Sequence, residues 1–331
     1  MERKSNVELL RVVCMLMIVL WHINIGFGGD KEVATFSLGN VINAITVVGV
    51  NSFVLISGYF GIKFKWKNVM ALVLQCLFYS IVISFACHET IGSNLDFKLA
   101  LLPISSNVWW FMTVYVMLYL SAPLLNKALG MMSLREILYA LLSLAIINVW
   151  FGYCFKNDNN PSGHSYLQFV FMYVVGRAIS YFKSSEIAHG NVLICNSGGA
   201  ILTFFVTMFA NMLFVKSYRY NNPIVVVSSI SLFLAFLNLR MRSIRLINTF
   251  AATVVAAYLI HEHPLIRPLL AERVRMIHGT FSMPYELWMF LGIALFFIML
   301  GFAVEKVRCA LMKPLINIVF NCLKNKRYNN V

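Results

Sequence analysis

The chain has 331 residues, of which 60% are apolar and only 12% charged, with a mean hydropathy of +0.76. Soluble chains run at about 45–50% apolar and about 25% charged, and too few charges are present here to cover the outside of a soluble globule, so a cytosolic globular enzyme, a disordered chain and a secreted disulfide scaffold are excluded. The 27 Lys+Arg against 13 Asp+Glu, net +14, would suggest nucleic acid in a soluble protein and topology in a membrane protein; where the charges fall separates the two.

A spanning helix needs about 20 mostly apolar residues. Ten stretches qualify in chain order: 7–27, 41–61, 68–88, 108–126, 134–155, 165–182, 192–215, 224–239, 246–262 and 284–306. Turn and polar runs divide them, such as GFGGDKE at 26–32, KNDNNPSGH at 156–164 and KSYRYNNP at 216–223. Backbone in lipid must satisfy its own hydrogen bonds, which demands helices. The fold expected is therefore an all-α polytopic membrane protein: a transmembrane domain over 1–309, then a basic amphipathic tail over 310–331 lying on the membrane. The first stretch is long and bulky throughout, so it reads as a retained helix and not a cleaved signal.

With the N-terminus cytoplasmic, ten spans return the C-terminus to the same side. Eighteen of the cations then lie inside, among them Arg3, Lys4, the lysines of KFKWK (63–67) and the arginines of RMRSIR (240–245), while 8, including Lys31 and Arg267, lie outside. That bias places both termini in the cytoplasm and removes the need for a nucleic-acid partner. Seven cysteines show no CxxC or metal spacing. Cys14, Cys76 and Cys195 lie in apolar runs and read as small hydrophobes; Cys87 and Cys154 both fall near the outer face, where a disulfide is conceivable.

Ionisable groups inside spans are costly and are functional candidates by default. Arg11 and His22 stand eleven residues apart on the first helix, about 16.5 Å along the axis and close to three full turns, so they share one face. Arg11 can pair with Glu8 one turn back or serve a ligand at the inner mouth; His22 can be an interfacial polar tip beside Trp21 or a reactive imidazole. The second span carries Asn51, Ser52, Ser57, Gly58 and Tyr59, small and polar for lipid, suited to close helix packing or to a cavity lined by backbone. Trp109 and Trp110 open the fourth span as an aromatic belt or as a stacking platform for a sugar ring. Tyr258, His261, Glu262 and His263 end the ninth span at the outer side. His261 and His263 diverge on a helix, so a metal is not expected, and a Glu tuning a second imidazole fits better.

Taken in order, these motifs resemble the integral-membrane acyltransferase 3 family, whose members O-acetylate surface polysaccharides and other glycans. Arg11 and His22 match its Arg-x10-His signature. NSFVLISGYF at 51–60, NVWWF at 107–111, YVVGRAISYF at 173–182 and YLIHEHPLI at 258–266 resemble four further family segments, and the likeness runs over about residues 4–310. Two departures stand out: Asn51 where the family often has Asp, and the lysines of KFKWK where it has paired Arg.

The resemblance implies a multi-pass protein of the plasma membrane. It implies acetyl-CoA arriving from the cytoplasm as acyl donor and a glycan hydroxyl as acceptor. His22 would act as catalytic base or acyl carrier, aided by Arg11. Arg11, Lys63, Lys65, Ser57, Gly58, Tyr59 and Arg177 would serve the donor; Trp109, Trp110, Asn51, Tyr258, His261 and Glu262 the acceptor. A transporter or flippase of a glycan or lipid-linked intermediate is the competing class, although no inverted repeat or matched pair of broken helices supports it.

Overall fold

The computed structural model describes residues 4–26, 37–156, 160, 162–184, 197–280 and 285–328; Arg3, Lys31 and Cys195 lie outside them. Among the described residues there is no strand, and each of the apolar stretches contains helix where it is described. They begin with α1 (Ser5–Gly26), α2 and α3 (Leu38–Thr46, Val48–Phe60), α4 (Trp66–Ile91) and a short α5 (Phe97–Leu101). The middle comprises α6 (Trp110–Met131), α7 (Leu134–Ala145, prolonged as a π-helix to Cys154), α8 (Tyr166–Ser184) and α9 (Ser197–Ala210, prolonged likewise to Val215). The chain closes with α10 (Pro223–Leu237), α11 and α12 (Arg245–Ala251, Val255–His261), α13 (Arg267–Thr280) and α14 (Tyr285–Tyr328).

Seven of these segments are long and apolar enough to cross a membrane, and α10 and the α11–α12 pair are shorter apolar helices. The stretch expected at 165–182 forms α8 but is not among the seven. Its sequence mixes Gln168, Arg177 and Lys183 into an apolar helix, and its inner face is buried, so it is shielded by protein more than by lipid. The tail expected from 310 does not start a new element: α14 runs unbroken through Pro314. Cys87 and Cys154 carry free thiols, the first buried and the second exposed.

Two features set the arrangement. The first is the centrality of α1, which packs on α2, α3, α10, α11, α12, α13 and α14. Leu10, Cys14, Val19 and Ile23 of α1 are buried to 0% exposure, so a helix that also carries Arg11 and His22 is held on every side by protein. The second is the seam between α3 and α8. A Cβ at Gly58 would land on the Tyr173 carbonyl oxygen, so glycine alone lets the two backbones meet. Gly58 therefore serves close packing, the plainer of the two roles open to it in the sequence.

The strand-free interior still has to satisfy polar groups. Ser133 caps α7 in a capping box with Glu136. Asn51 of α3 donates to the Tyr220 carbonyl at 2.9 Å and accepts from Gln168 Nε2 of α8 at 3.0 Å. Gln168 also donates to that carbonyl at 2.9 Å and accepts from Asn148, which in turn accepts from Asn160. Asn221 donates to the Asn160 carbonyl at 2.8 Å. This ladder ties α3, α7 and α8 to the 217–222 connection and fixes the backbone of Tyr220. Gly163 allows the approach: its φ is +79° and a Cβ there would stand 2.7 Å from the Asn221 nitrogen.

Candidate active site

His22 ends the stripe that runs Arg11, Met15, Ile18, His22 up one face of α1, the i, i+4, i+7, i+11 positions, half-buried at its two ends and buried between them. Its Nδ1 lies 2.9 Å from Nε2 of His261 and 3.3 Å from Oε2 of Glu262. The two imidazoles come from residues 239 positions apart, joined because α12 packs against α1. Helix α12 ends at His261, and Glu262 is its C-cap. The chain turns there, so His261 and Glu262 both reach His22, whereas His263 goes the other way and meets the Trp109 ring edge-on, centroids 5.5 Å apart.

The tautomers follow from the partners. His261 Nδ1 is 2.6 Å from the Ala257 carbonyl oxygen, which can only accept, so that nitrogen carries the proton. Neutral His261 then offers a lone pair at Nε2, and the proton in the 2.9 Å contact belongs to His22 Nδ1. His22 Nε2 is left as a lone pair. Glu262 is buried; Oε1 accepts from Arg267 at 3.0 Å, while Oε2 has no hydrogen-bond partner and sits at an ion-pair distance from His22 Nδ1. A carboxylate so placed compensates a positive charge on His22 without neutralising it beforehand. His22, His261 and Glu262 are also the one group of metal-type ligands found among the described residues, their atoms within 4.8 Å of one another.

His22 lines two cavities at once. One is a narrow apolar channel with only about 20 Å³ of open space, walled by Met15, Ile18, Val50, Phe53, Phe111 and Val255. The other is a wider vestibule of about 440 Å³ at the C-terminal end of α1, where Trp21, His164, His261, Glu262 and Arg267 gather. Trp110 and Tyr220 border both. The Trp110 and Tyr220 rings are stacked at 5.8 Å and 27°, and His164 packs on each, 4.6 and 4.7 Å between centroids. The floor of the vestibule is thus aromatic and its wall carries polar groups.

The other residues singled out from the sequence divide by position. Tyr258 lines the apolar channel. Trp109 is 1% exposed and lines neither cavity, so Trp110 alone of the pair faces them. Asn51 is buried with both ends of its amide engaged in the ladder. Ser57, at 3.1 Å from the Tyr115 hydroxyl, and Tyr59, packed on Phe233, lie at the C-terminal end of α3. There Arg177 approaches Gly61 and donates to the Tyr181 hydroxyl at 3.1 Å, while Lys63 and Lys65 are exposed just beyond. Arg11 pairs with Glu8 at 2.6 Å. Sequence reasoning missed Tyr220, His164 and Arg267 as site residues; the nearest signals were an imidazole closing a turn-rich run and an arginine five residues after Glu262.

A family model described as an acyltransferase domain matches residues 4–305, nearly the whole chain, and the protein belongs to the acyltransferase 3 family. No curated protein matches the chain, and no solved structure does. It is a multi-pass membrane protein, and its family is one of acyltransferases.

Proposed function

We propose that the protein is an O-acyltransferase of the plasma membrane. It moves an acetyl group from acetyl-CoA, taken up at the cytoplasmic end of α1, to a hydroxyl of a cell-surface glycan at the other end. The observation that carries this reading is the position of His22. It stands where an apolar channel and an aromatic vestibule meet, with its proton held on Nδ1 and its lone pair on Nε2. The charge bias supports the orientation, with both termini in the cytoplasm.

The acceptor hydroxyl enters the vestibule and stacks its sugar ring on Trp110 and Tyr220. His22 Nε2 takes the hydroxyl proton as the oxygen attacks the thioester carbonyl. The C–O bond forms and the C–S bond breaks, and His22 returns the proton to the departing thiolate. While His22 is an imidazolium, Glu262 faces its Nδ1–H, and the 3.0 Å bond from Arg267 holds Glu262 in place. His261 acts through His22: its lone pair fixes the tautomer. The apolar channel excludes water from the thioester, which limits hydrolysis.

Purified protein in lipid nanodiscs, given acetyl-CoA and a glycan acceptor, is expected to release free thiol in step with acceptor acetylation, and His22→Ala is expected to abolish both. Wild-type turnover retained in His22→Ala overturns the assignment; transport of the glycan without thiol release supports the flippase reading.

A further inference from the structure

Attack on a thioester carbonyl puts negative charge on the carbonyl oxygen, and that charge is stabilised by donors held in place beforehand. The His22 cluster offers none. Its two Nδ1–H groups are engaged, that of His22 with His261 and that of His261 with the Ala257 carbonyl, and the Glu262 carboxylate only accepts. Free donors lie instead across the small apolar space from His22, where α6 begins. Helix α6 starts uncapped: its N-cap is Trp109, whose indole cannot accept a hydrogen bond, and no side chain caps it. The first intrahelical bond runs from Thr113 N to the Trp109 carbonyl oxygen at 3.1 Å. The N–H groups of Trp110, Phe111 and Met112 precede that ladder, and none has an acceptor among the described residues. The positive end of a 22-residue helix thus stands at the wall of the space, to which Trp110 and Phe111 both contribute.

Tyr258 points to the same place from the other side. It is 4% exposed, its hydroxyl has no hydrogen-bond partner, and it lies beside the backbone N–H of Phe111. Its ring centroid is 5.8 Å from that of Phe111, 6.3 Å from that of His22 and 6.0 Å from that of His261. Tyr258 and His261 stand one turn apart on α12, so one helix face brings both to His22. A buried hydroxyl without a partner destabilises a resting protein, and a ligand oxygen beside it supplies the missing bond. The open space of about 20 Å³ matches that need, since it holds one water-sized atom and no more.

We infer that Tyr258 and the N-terminus of α6 form the oxyanion hole of the acyl transfer, with the Tyr258 hydroxyl donating to the thioester carbonyl oxygen and the Phe111 N–H as second donor. This rests on the reading of the protein as an acyltransferase with His22 as its base. As the acceptor oxygen bonds to the carbonyl carbon, its proton passes to His22 Nε2 and the carbonyl π pair settles on the oxygen between the two donors. On collapse that pair returns, the C–S bond breaks, and the proton leaves Nε2 for the departing sulfur. Tyr258 keeps its own proton throughout. It is then a catalytic residue, and not the acceptor contact that the family resemblance implies.

The test compares two acyl donors, acetyl-CoA and its dithioester analogue, in which sulfur replaces the carbonyl oxygen. Single-turnover thiol release is followed in nanodiscs with a glycan acceptor, for the wild type and for Tyr258→Phe, which removes only the hydroxyl. With acetyl-CoA the variant's rate at saturating donor is expected to fall about 100-fold, as for one lost oxyanion donor, with the half-saturating donor concentration unchanged. Its thermal midpoint is expected to hold or rise, because the lost hydroxyl is unpaired in the resting protein. Sulfur is a weak acceptor, so with the dithioester the two proteins are expected to react at the same rate. Equal rates on acetyl-CoA overturn the proposal. An equal loss on both donors overturns it too, and makes Tyr258 a support for the His22 cluster. Should Tyr258→Phe fail to fold, 3,5-difluorotyrosine at position 258 decides, since it keeps the shape and sharpens the donor: a rate altered for acetyl-CoA alone upholds the proposal, and an unaltered one overturns it. A wild type that releases thiol from neither donor removes the acyltransferase reading itself.

Discussion

Two buried polar clusters stand within reach of Tyr220, and they use their groups in opposite ways. The ladder of Asn51, Gln168, Asn148, Asn160 and Asn221 is made of amides, and apart from the Asn221 Oδ1 at its end its members are spent on one another and on the Tyr220 carbonyl. The cluster of His22, His261 and Glu262 is made of titratable groups, and it keeps atoms in reserve: Glu262 Oε2 has no hydrogen-bond partner, and His22 Nε2 is turned from His261. The ladder's polar atoms are closed off among helices, while the cluster borders two cavities. A satisfied network specifies a structure; a network with a lone pair and a carboxylate oxygen left over at a cavity wall is equipped to accept a proton. The clusters are coupled, because the ladder fixes the backbone whose side chain stacks on Trp110 at the vestibule.

The largest expected effect breaks the pair apart by what each loses. His22→Ala is expected to lower turnover by about 1,000-fold, within the range for a removed acid–base group, with the thermal midpoint unchanged in detergent. Gln168→Leu is expected to do the reverse. It strands the Asn148 amide and the Asn51 carbonyl oxygen in a dry interior, costing about 2–6 kcal/mol of stability at roughly 1–3 kcal/mol for each orphaned group. The donor kcat/KM per folded molecule stays at the wild-type level. Thermal melts and active-site-normalised kinetics on both variants read the crossover. A Gln168→Leu protein that melts normally and turns over slowly would dissolve the distinction between the clusters.

A smaller effect sharpens the division of labour inside the catalytic cluster. In a triad where the carboxylate also sets the tautomer, its amide variant is severely impaired. Here His261 sets the tautomer, through the bond from its own Nδ1 to Ala257. Glu262 has only charge to contribute. Glu262→Gln is therefore expected to lower kcat by about 10–100-fold, an electrostatic loss smaller than that of the base itself, with the donor KM unchanged. A loss as large as that of His22→Ala would assign the tautomer to Glu262 instead.

The legible part of this molecule was what repeats along one helix. The stripe Arg11, Met15, Ile18, His22 follows from 3.6 residues per turn, and Met15, Ile18 and His22 do share one channel wall. Lengths of apolar sequence gave the all-helical class, because backbone in lipid has no alternative to helix, while seven of the helices among the described residues are long and apolar enough to span. What a sequence does not carry is which helices meet. His22 and His261 are 239 residues apart, and nothing in either segment names the other. The same limit governs Asn51 and Trp109: each is a candidate acceptor contact by residue type, and helix packing sets one in the ladder and the other against His263. Gly58 illustrates a choice between two physical roles that composition leaves even and that the position of the Tyr173 carbonyl decides.

The last expectation is of no effect, and it tests whether the His22 cluster is a proton site or a metal site. Its three ligand atoms are close enough for a cation, so composition and proximity alone do not separate the two. The spacing does. Two ligands on a tetrahedral zinc, at bonds of about 2.05 Å, stand about 3.3 Å apart, whereas His22 Nδ1 and His261 Nε2 are 2.9 Å apart, an ordinary hydrogen-bond length. A zinc between them would need lone pairs on both atoms, so His22 would have to give up its Nδ1 proton and carry it on Nε2 instead. Dialysis against EDTA or a stronger zinc chelator is therefore expected to leave turnover within about 2-fold of the untreated enzyme, with no stoichiometric metal by elemental analysis. Loss of activity on chelation, restored by zinc, would mean that the two imidazoles part to admit an ion and that Glu262 Oε2 is a ligand in waiting and not a counter-charge.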